Sequence, residues 1–246
     1  MGKNGHHSPF EPYTGFDVEY DTYGSTKYPA KVYEKTKLAI ADSLKLKKPL
    51  FFNLNIYDPH VGWYGWSQKT HSAKKETENH PSRIYTPDEI PYPSHFPPLS
   101  EGAKKYTNKA GDQVHIMDEV TAYYNTVKRA DDSIGQLLRA FEEANLMEKT
   151  IFVLVADHGG ELTGGKTTLF HEGTHSPLFV KWPGLTKAGS INTKHMIGTI
   201  DLLPTFCEIA HQPIPHDLDG QSFLPMIKEQ EPKNWRPFVY MQQNDR

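Results

Sequence analysis

The chain is short of cysteine, of long apolar runs and of net charge, and each shortage removes a class of protein. Cys207 is the single cysteine among 246 residues, so no intrachain disulfide holds the fold. It lies in Leu202-Leu203-Pro204-Thr205-Phe206-Cys207-Glu208-Ile209-Ala210, an apolar helical pattern in which a buried, inert thiol is expected rather than a nucleophile. No apolar run approaches the ~20 residues that a membrane-spanning helix needs. A formal net charge of −3 leaves no global basic field for nucleic acid. The first residues, Met1-Gly2-Lys3-Asn4-Gly5-His6-His7, contain no apolar leader core, and position 6 is not the Ser or Thr of a myristoylation signal. The glycines before Lys166 lack the Walker spacing, so this is no P-loop.

Hydrophobic residues make up 37% of the chain and charged residues 23%, which is the composition of a folded, soluble protein. The length allows one large domain or two small ones. Residues 1–28 are polar, aromatic and Gly-rich, and read as loop. Residues 30–47 carry Val32, Tyr33, Leu38, Ala39, Ile40 and Leu44 among lysines and acids, the pattern of an amphipathic helix. Residues 50–56 read as a strand. Residues 57–113 form a long irregular segment rich in Pro, Tyr, His and Lys, a length that usually carries function or is disordered. Its aromatics, Trp63, Tyr64, Trp66, Tyr85, Tyr92 and Phe96, favour order.

Residues 117–146 show the clearest helical spacing, through Val120, Tyr123, Tyr124, Val127, Ile134, Leu137, Leu138 and Phe141. Asp131-Asp132 falls off that stripe and reads as a solvated face or a cap partner. Strands are expected at 151–156 and 178–182, the second stopped by Pro183-Gly184, with a short strand at 196–200. Residues 201–210 read as a helix with Asp201 at its N-cap. This alternation predicts an α/β fold with helices covering a central sheet.

Four clusters carry chemistry. The apolar run Ile151–Ala156 ends in Asp157-His158-Gly159-Gly160, which delivers a carboxylate and an imidazole to the carboxyl edge of a sheet. That edge is where open α/β folds place ligands, and the pair begins a divalent-metal site. Lys166 follows as an anion binder beside Gly164-Gly165, whose missing side chains permit a ligand's close approach. Tyr57-Asp58-Pro59-His60 follows the strand expected at 50–56, with Pro59 restraining where His60 points. Gly2-Lys3-Asn4-Gly5-His6 offers N–H donors and positive charge for a tetrahedral anion.

In their order and spacing these clusters resemble the sulfatase family, within the alkaline-phosphatase-like superfamily. The likeness runs from Gly2-Lys3 through Tyr57-Asp58-Pro59-His60 and Asp157-His158-Gly159 to Lys166, Thr174-His175-Ser176-Pro177, Trp182-Pro183-Gly184, Asp201-Leu202-Leu203-Pro204-Thr205 and Leu218-Asp219-Gly220-Gln221. The stretch Tyr85-Thr86-Pro87-Asp88-Glu89-Ile90-Pro91, with Phe96-Pro97-Pro98-Leu99, looks like sulfatases acting on sulfated sugars, including the heparan N-sulfatase-like group.

The resemblance implies an alkaline-phosphatase-like central sheet flanked by helices, and hydrolysis of a sulfuric ester or sulfamate on a sulfated carbohydrate. It gives Asp157 and His158 half of a divalent-metal site, with Ca2+ the usual ion and Mg2+ the alternative. Lys166 becomes the sulfate-binding lysine, and His60 contacts sulfate and the leaving oxygen. Lys3 and His6 become sulfate contacts, and His175 orders the pocket wall. It also implies a formylglycine diol that attacks sulfur, made from the Cys or Ser of a Cys/Ser-x-Pro-x-Arg motif. No such motif occurs in this sequence, and the family's early Asp-Asp metal pair is absent too. The chain is therefore read as a sulfatase fragment that does not turn over by itself. Relatives are commonly periplasmic, secreted or lysosomal. Two other readings remain: a phosphoester hydrolase or mutase of the same superfamily, and a non-catalytic module that binds sulfated glycans through segment 57–113.

Overall fold

A computed structural model describes residues 18, 28–60, 63–64, 80–94, 104–107, 111 and 113–243. The chain divides into two compact units, Met1–Met147 and Glu148–Arg246.

The first unit is organised by two helices. α1 spans Pro29–Leu46, begins with a proline in its first turn and ends at Lys47 in a left-handed conformation. After it, β1 (Lys105–Thr107) and β2 (Gln113–His115) form a short antiparallel ladder, with Tyr106 opposite Val114. α2 then runs over Ile116–Glu143, and the His115 ring accepts the Met117 amide at 3.2 Å to cap it. The sequence predicts both helices within a few residues.

Their facing stripes bury Val32, Thr36, Ala39 and Ile40 of α1 and Val120, Ala122, Ala140 and Phe141 of α2. Thr36 and Thr126 are fully buried, and each returns its hydroxyl to a carbonyl of its own helix at 2.7 and 2.8 Å. At the rim, Tyr33 donates to Glu143 at 2.6 Å. Tyr106 donates to Glu119 across β1 and α2 at 2.9 Å; burial, and secondarily that carboxylate, pushes its phenol up to about 12.

Residues 50–56, expected as a strand, are not in a ladder. A strand exists by pairing with a neighbour, and no described strand lies alongside them. Segment 57–113 is ordered where described, because α2 holds it. Asn125 exchanges two hydrogen bonds with the Tyr85 backbone, at 2.7 and 3.1 Å. Asp132 accepts the Ser82 amide and hydroxyl at 2.6 and 2.7 Å and the Lys128 ammonium at 2.6 Å. Burial raises the Asp132 carboxyl, and the bonds from Lys128 and Ser82 outweigh it and hold the group below its ordinary value. Asp132 is thus a staple rather than a solvated acid, whereas Asp131 is exposed and pairs with Lys128.

The second unit starts from β3 (Phe152–Val155), which pairs antiparallel with β4 (Leu178–Lys181), Val153 facing Val180. β4 ends one residue before the expected limit, because the Trp182 amide turns to the Thr186 hydroxyl at 2.9 Å. Between the strands lies a loop closed by the one-turn helix α3 (His171–Thr174). α4 (Leu202–Ile209) and the short α5 (Leu224–Ile227) follow.

The strand expected at 196–200 is instead a stretch leading into a 3-10 turn at Thr199–Asp201. Asp201 explains this, since its carboxylate takes the Gly198 amide at 2.8 Å, a local bond that competes with a ladder. Asp201 stands at the N-cap position of α4 as expected, but its carboxylate makes no cap bond to that helix. It is fully buried and accepts the Gln221 amide and the Arg236 Nη1, both at 2.8 Å, and also Arg236 Nη2. One carboxylate ties together three stretches of the second unit. Cys207 is half-buried rather than sealed in the core.

Candidate functional site

In the first unit, His60 closes a tight turn: its amide donates to the Tyr57 carbonyl at 3.1 Å. Pro59 follows Asp58 through a cis peptide bond. The Tyr57 and His60 rings lie 4.9 Å apart, tilted by 55°. Asp58 is buried and receives a two-pronged bond from Arg129 of α2, Nε to Oδ2 at 2.7 Å and Nη2 to Oδ1 at 3.1 Å. Beyond the turn, the Trp63 indole donates to the Pro59 carbonyl at 3.0 Å, and the Tyr64 amide donates to the Thr126 hydroxyl at 2.8 Å. The Tyr64 hydroxyl is bonded to His80 Nδ1.

In the second unit, Asp157 and His158 follow directly on β3. Asp157 Oδ1 accepts the His158 amide at 3.1 Å. His158 Nδ1 lies 2.7 Å from the Gly159 carbonyl, which makes that nitrogen the protonated one and directs the Nε2 lone pair outward. Nε2 stands 3.7 Å from Asp157 Oδ2. A hard carboxylate oxygen and an imidazole nitrogen that close fit as two neighbouring ligands of one divalent cation. Among the described residues no group of three or more His, Cys, Asp and Glu is placed to hold a metal ion.

Three of the glycines that follow are packed against backbone. A Cβ on Gly159 would run into the Glu172 carbonyl, one on Gly165 into the Gly160 carbonyl, and one on Gly173 into the Gly165 carbonyl. These three glycines let the loop close on itself. Backbone bonds lock that closure: Gly159 N to Gly173 O at 3.1 Å, and Lys166 N to Gly160 O at 2.7 Å. Thr168 adds its hydroxyl to the Gly164 carbonyl at 2.6 Å.

The fold also gives Lys166 a partner. Its ammonium donates to Glu161 Oε1 at 2.8 Å, with both side chains largely covered. An ammonium has three donors, so this pairing leaves capacity for an anion. His175 is exposed and its ring stacks near His171, centroids 4.5 Å apart at 30°. Lys3 and His6 lie outside the described residues.

Three contributors escaped the sequence reading. Along the sequence Arg129 is one of several charges within residues 117–146, and nothing local marks it as buried. Glu161 was passed over although it stands five residues before Lys166. Asp58 was noted only as part of the His60 cluster. Only a lone charge at a buried helical position would have flagged Arg129.

Comparison with known proteins gives one answer for fold and sequence. A phosphonate monoester hydrolase from Silicibacter pomeroyi superposes with a TM-score of 0.52 at 27% identity, covering 62% of this chain and 34% of that one. A 2-O GAG sulfatase superposes with a TM-score of 0.54 at 18% identity over 93% of this chain and 51% of that one, a likeness of fold. The architecture is that of the alkaline-phosphatase-like hydrolases. The model of the sulfatase family matches residues 3–212, and the chain belongs to that family. An ulvan-active sulfatase of Formosa agariphila is 34% identical over 56% of this chain and 27% of its own length. The chain spans between 20% and 30% of the length of the first such relatives.

Proposed function

We propose that this chain forms the sulfate-binding side of a sulfuric ester or sulfamate hydrolase acting on sulfated carbohydrates. The observation that carries the reading is the loop behind β3, which fixes Asp157, His158 and Lys166 on one backbone frame. Lys166 neutralises a sulfate oxygen with donors not used by Glu161. His60 takes the sulfate-contact role that the resemblance implies, and in an intact enzyme it would protonate the leaving oxygen or nitrogen. Lys3 and His6 keep the sulfate-contact role, and His175 the pocket-wall role, that the resemblance to sulfatases implies. Asp157 and His158 hold a divalent cation, Ca2+ or Mg2+, whose charge draws electron density from the sulfate oxygens.

The formylglycine of sulfatases does not fit these residues, because the sequence holds no Cys/Ser-x-Pro-x-Arg. No nucleophilic step is assigned to the chain, and it is expected to bind without turnover. Calorimetry with Ca2+ and with a sulfated oligosaccharide tests this. Binding of the oligosaccharide should weaken with salt and fall with Lys166→Ala, and Ca2+ uptake should disappear with Asp157→Ala. Oligosaccharide affinity indifferent to Lys166→Ala would remove the sulfate reading. Hydrolysis of 4-nitrophenyl sulfate that vanishes with Asp157→Ala would show that the chain is complete as a catalyst.

A second reading is favoured by the 27% identity to a phosphonate monoester hydrolase. The same loop would then hold a phosphoryl or phosphonyl oxygen. Competition between 4-nitrophenyl sulfate and phenylphosphonate for the chain separates the two.

A further inference from the structure

We propose that Arg129 is a positioning residue for His60, acting through Asp58. The inference rests on the reading of His60 as a sulfate contact. Arg129 and Asp58 retain only 2% and 0% of their side-chain exposure. A pair this buried gains little stability over well-packed apolar residues of the same volume. What the guanidinium fork adds is direction, because two parallel bonds to one carboxylate admit a single orientation of it.

That orientation is passed on over a short path. Asp58 is two residues before His60, Pro59 stiffens the link, and the bond from His60 N to Tyr57 O closes the turn. α2 grips the same segment at successive levels. Tyr123 meets the Trp63 ring edge-on at 5.5 Å, and Thr126 holds the Tyr64 amide. The Arg129 guanidinium also stands over the Tyr64 ring at 5.7 Å. Anchoring Asp58 to α2 therefore fixes where the closed turn carries His60 relative to that helix.

The test compares wild type, Arg129→Lys, His60→Ala and the Arg129→Lys/His60→Ala double variant. The readouts are the 15N resonances of the His60 ring and the affinity for 4-nitrophenyl sulfate. Arg129→Lys keeps a buried cation but loses the fork. It should move the His60 ring resonances and weaken binding about tenfold, the scale of one charge-assisted hydrogen bond. In the His60→Ala background the same change should cost nothing further, because Arg129 acts through His60.

Unchanged His60 resonances in folded Arg129→Lys, or equal losses in both backgrounds, would overturn the proposal. If Arg129→Lys does not fold, the neutral pair Arg129→Gln/Asp58→Asn takes its place with the same expectation. Should the ring resonances move while wild type ignores 4-nitrophenyl sulfate, positioning stands and the sulfate reading fails.

Discussion

His60 sits in a turn pinned by side chains, whereas Asp157, His158 and Lys166 sit in a loop pinned by its own backbone. In the first unit, a buried ion pair, a threonine hydroxyl and an indole fasten Asp58, Pro59, Trp63 and Tyr64 to α2 or to one another. In the second, closure depends on amide–carbonyl bonds and on glycines that leave no room for a Cβ. The two constructions fail in different ways. A side-chain clamp is broken by deleting a charge or a hydroxyl. A backbone clamp tolerates such deletions and is broken by adding a single carbon.

The sharpest way to break the contrast is Arg129→Met. It leaves the Asp58 carboxylate buried and uncompensated, and should destabilise the first unit by about 4 kcal/mol. Urea unfolding followed by far-UV circular dichroism measures the loss, and a shift under about 1 kcal/mol would mean that the pair is not the clamp.

Gly159→Ala comes next, at about 3 kcal/mol, because the new methyl meets a carbonyl that is itself locked in the loop. Gly184→Ala is its control. That residue has φ +77 but open space around it, so about 1 kcal/mol of backbone strain is expected. Equal losses at the two glycines would show that self-packing does not hold the loop.

Thr126→Val removes the acceptor of the Tyr64 amide and should cost about 1 kcal/mol, read from the same unfolding curves. It should also hasten hydrogen exchange at Tyr64.

The smallest effect concerns pH. The Asp132 carboxyl is held below its ordinary value of 3.8, so its contribution is complete above that pH and is lost as pH falls through the lower folded value. Acidification across that window should release the Ser82 amide to exchange in wild type. Asp132→Asn should abolish the step, and a step that persists would place the titrating group elsewhere.

Local pattern was a good guide to some elements and a poor one to others. α1 and α2 were legible because an apolar stripe of helical period records a buried face whatever packs on it. β3 and β4 were legible as apolar runs ending in Asp157 and in Pro183-Gly184. Residues 50–56 carry the same kind of run but no ladder among the described residues, since a run names a strand without naming its neighbour. Met196–Ile200 was misread because Asp201 takes up the Gly198 amide locally. The candidate site was legible in its residue types and order, which carry the likeness to sulfatases. Its fastening was not.

The sequence by itself determined the family, the two long helices and the order in which His60, Asp157, His158 and Lys166 appear, because periodicity and motif order are properties of neighbours along the chain. Only the tertiary structure decided that Arg129 belongs to Asp58, that Glu161 belongs to Lys166 and that Asp201 gathers Gly198, Gln221 and Arg236. These pairings join a buried charge to whichever opposite charge or donor the packing brings within hydrogen-bond reach. Distance along the chain carries no record of that choice.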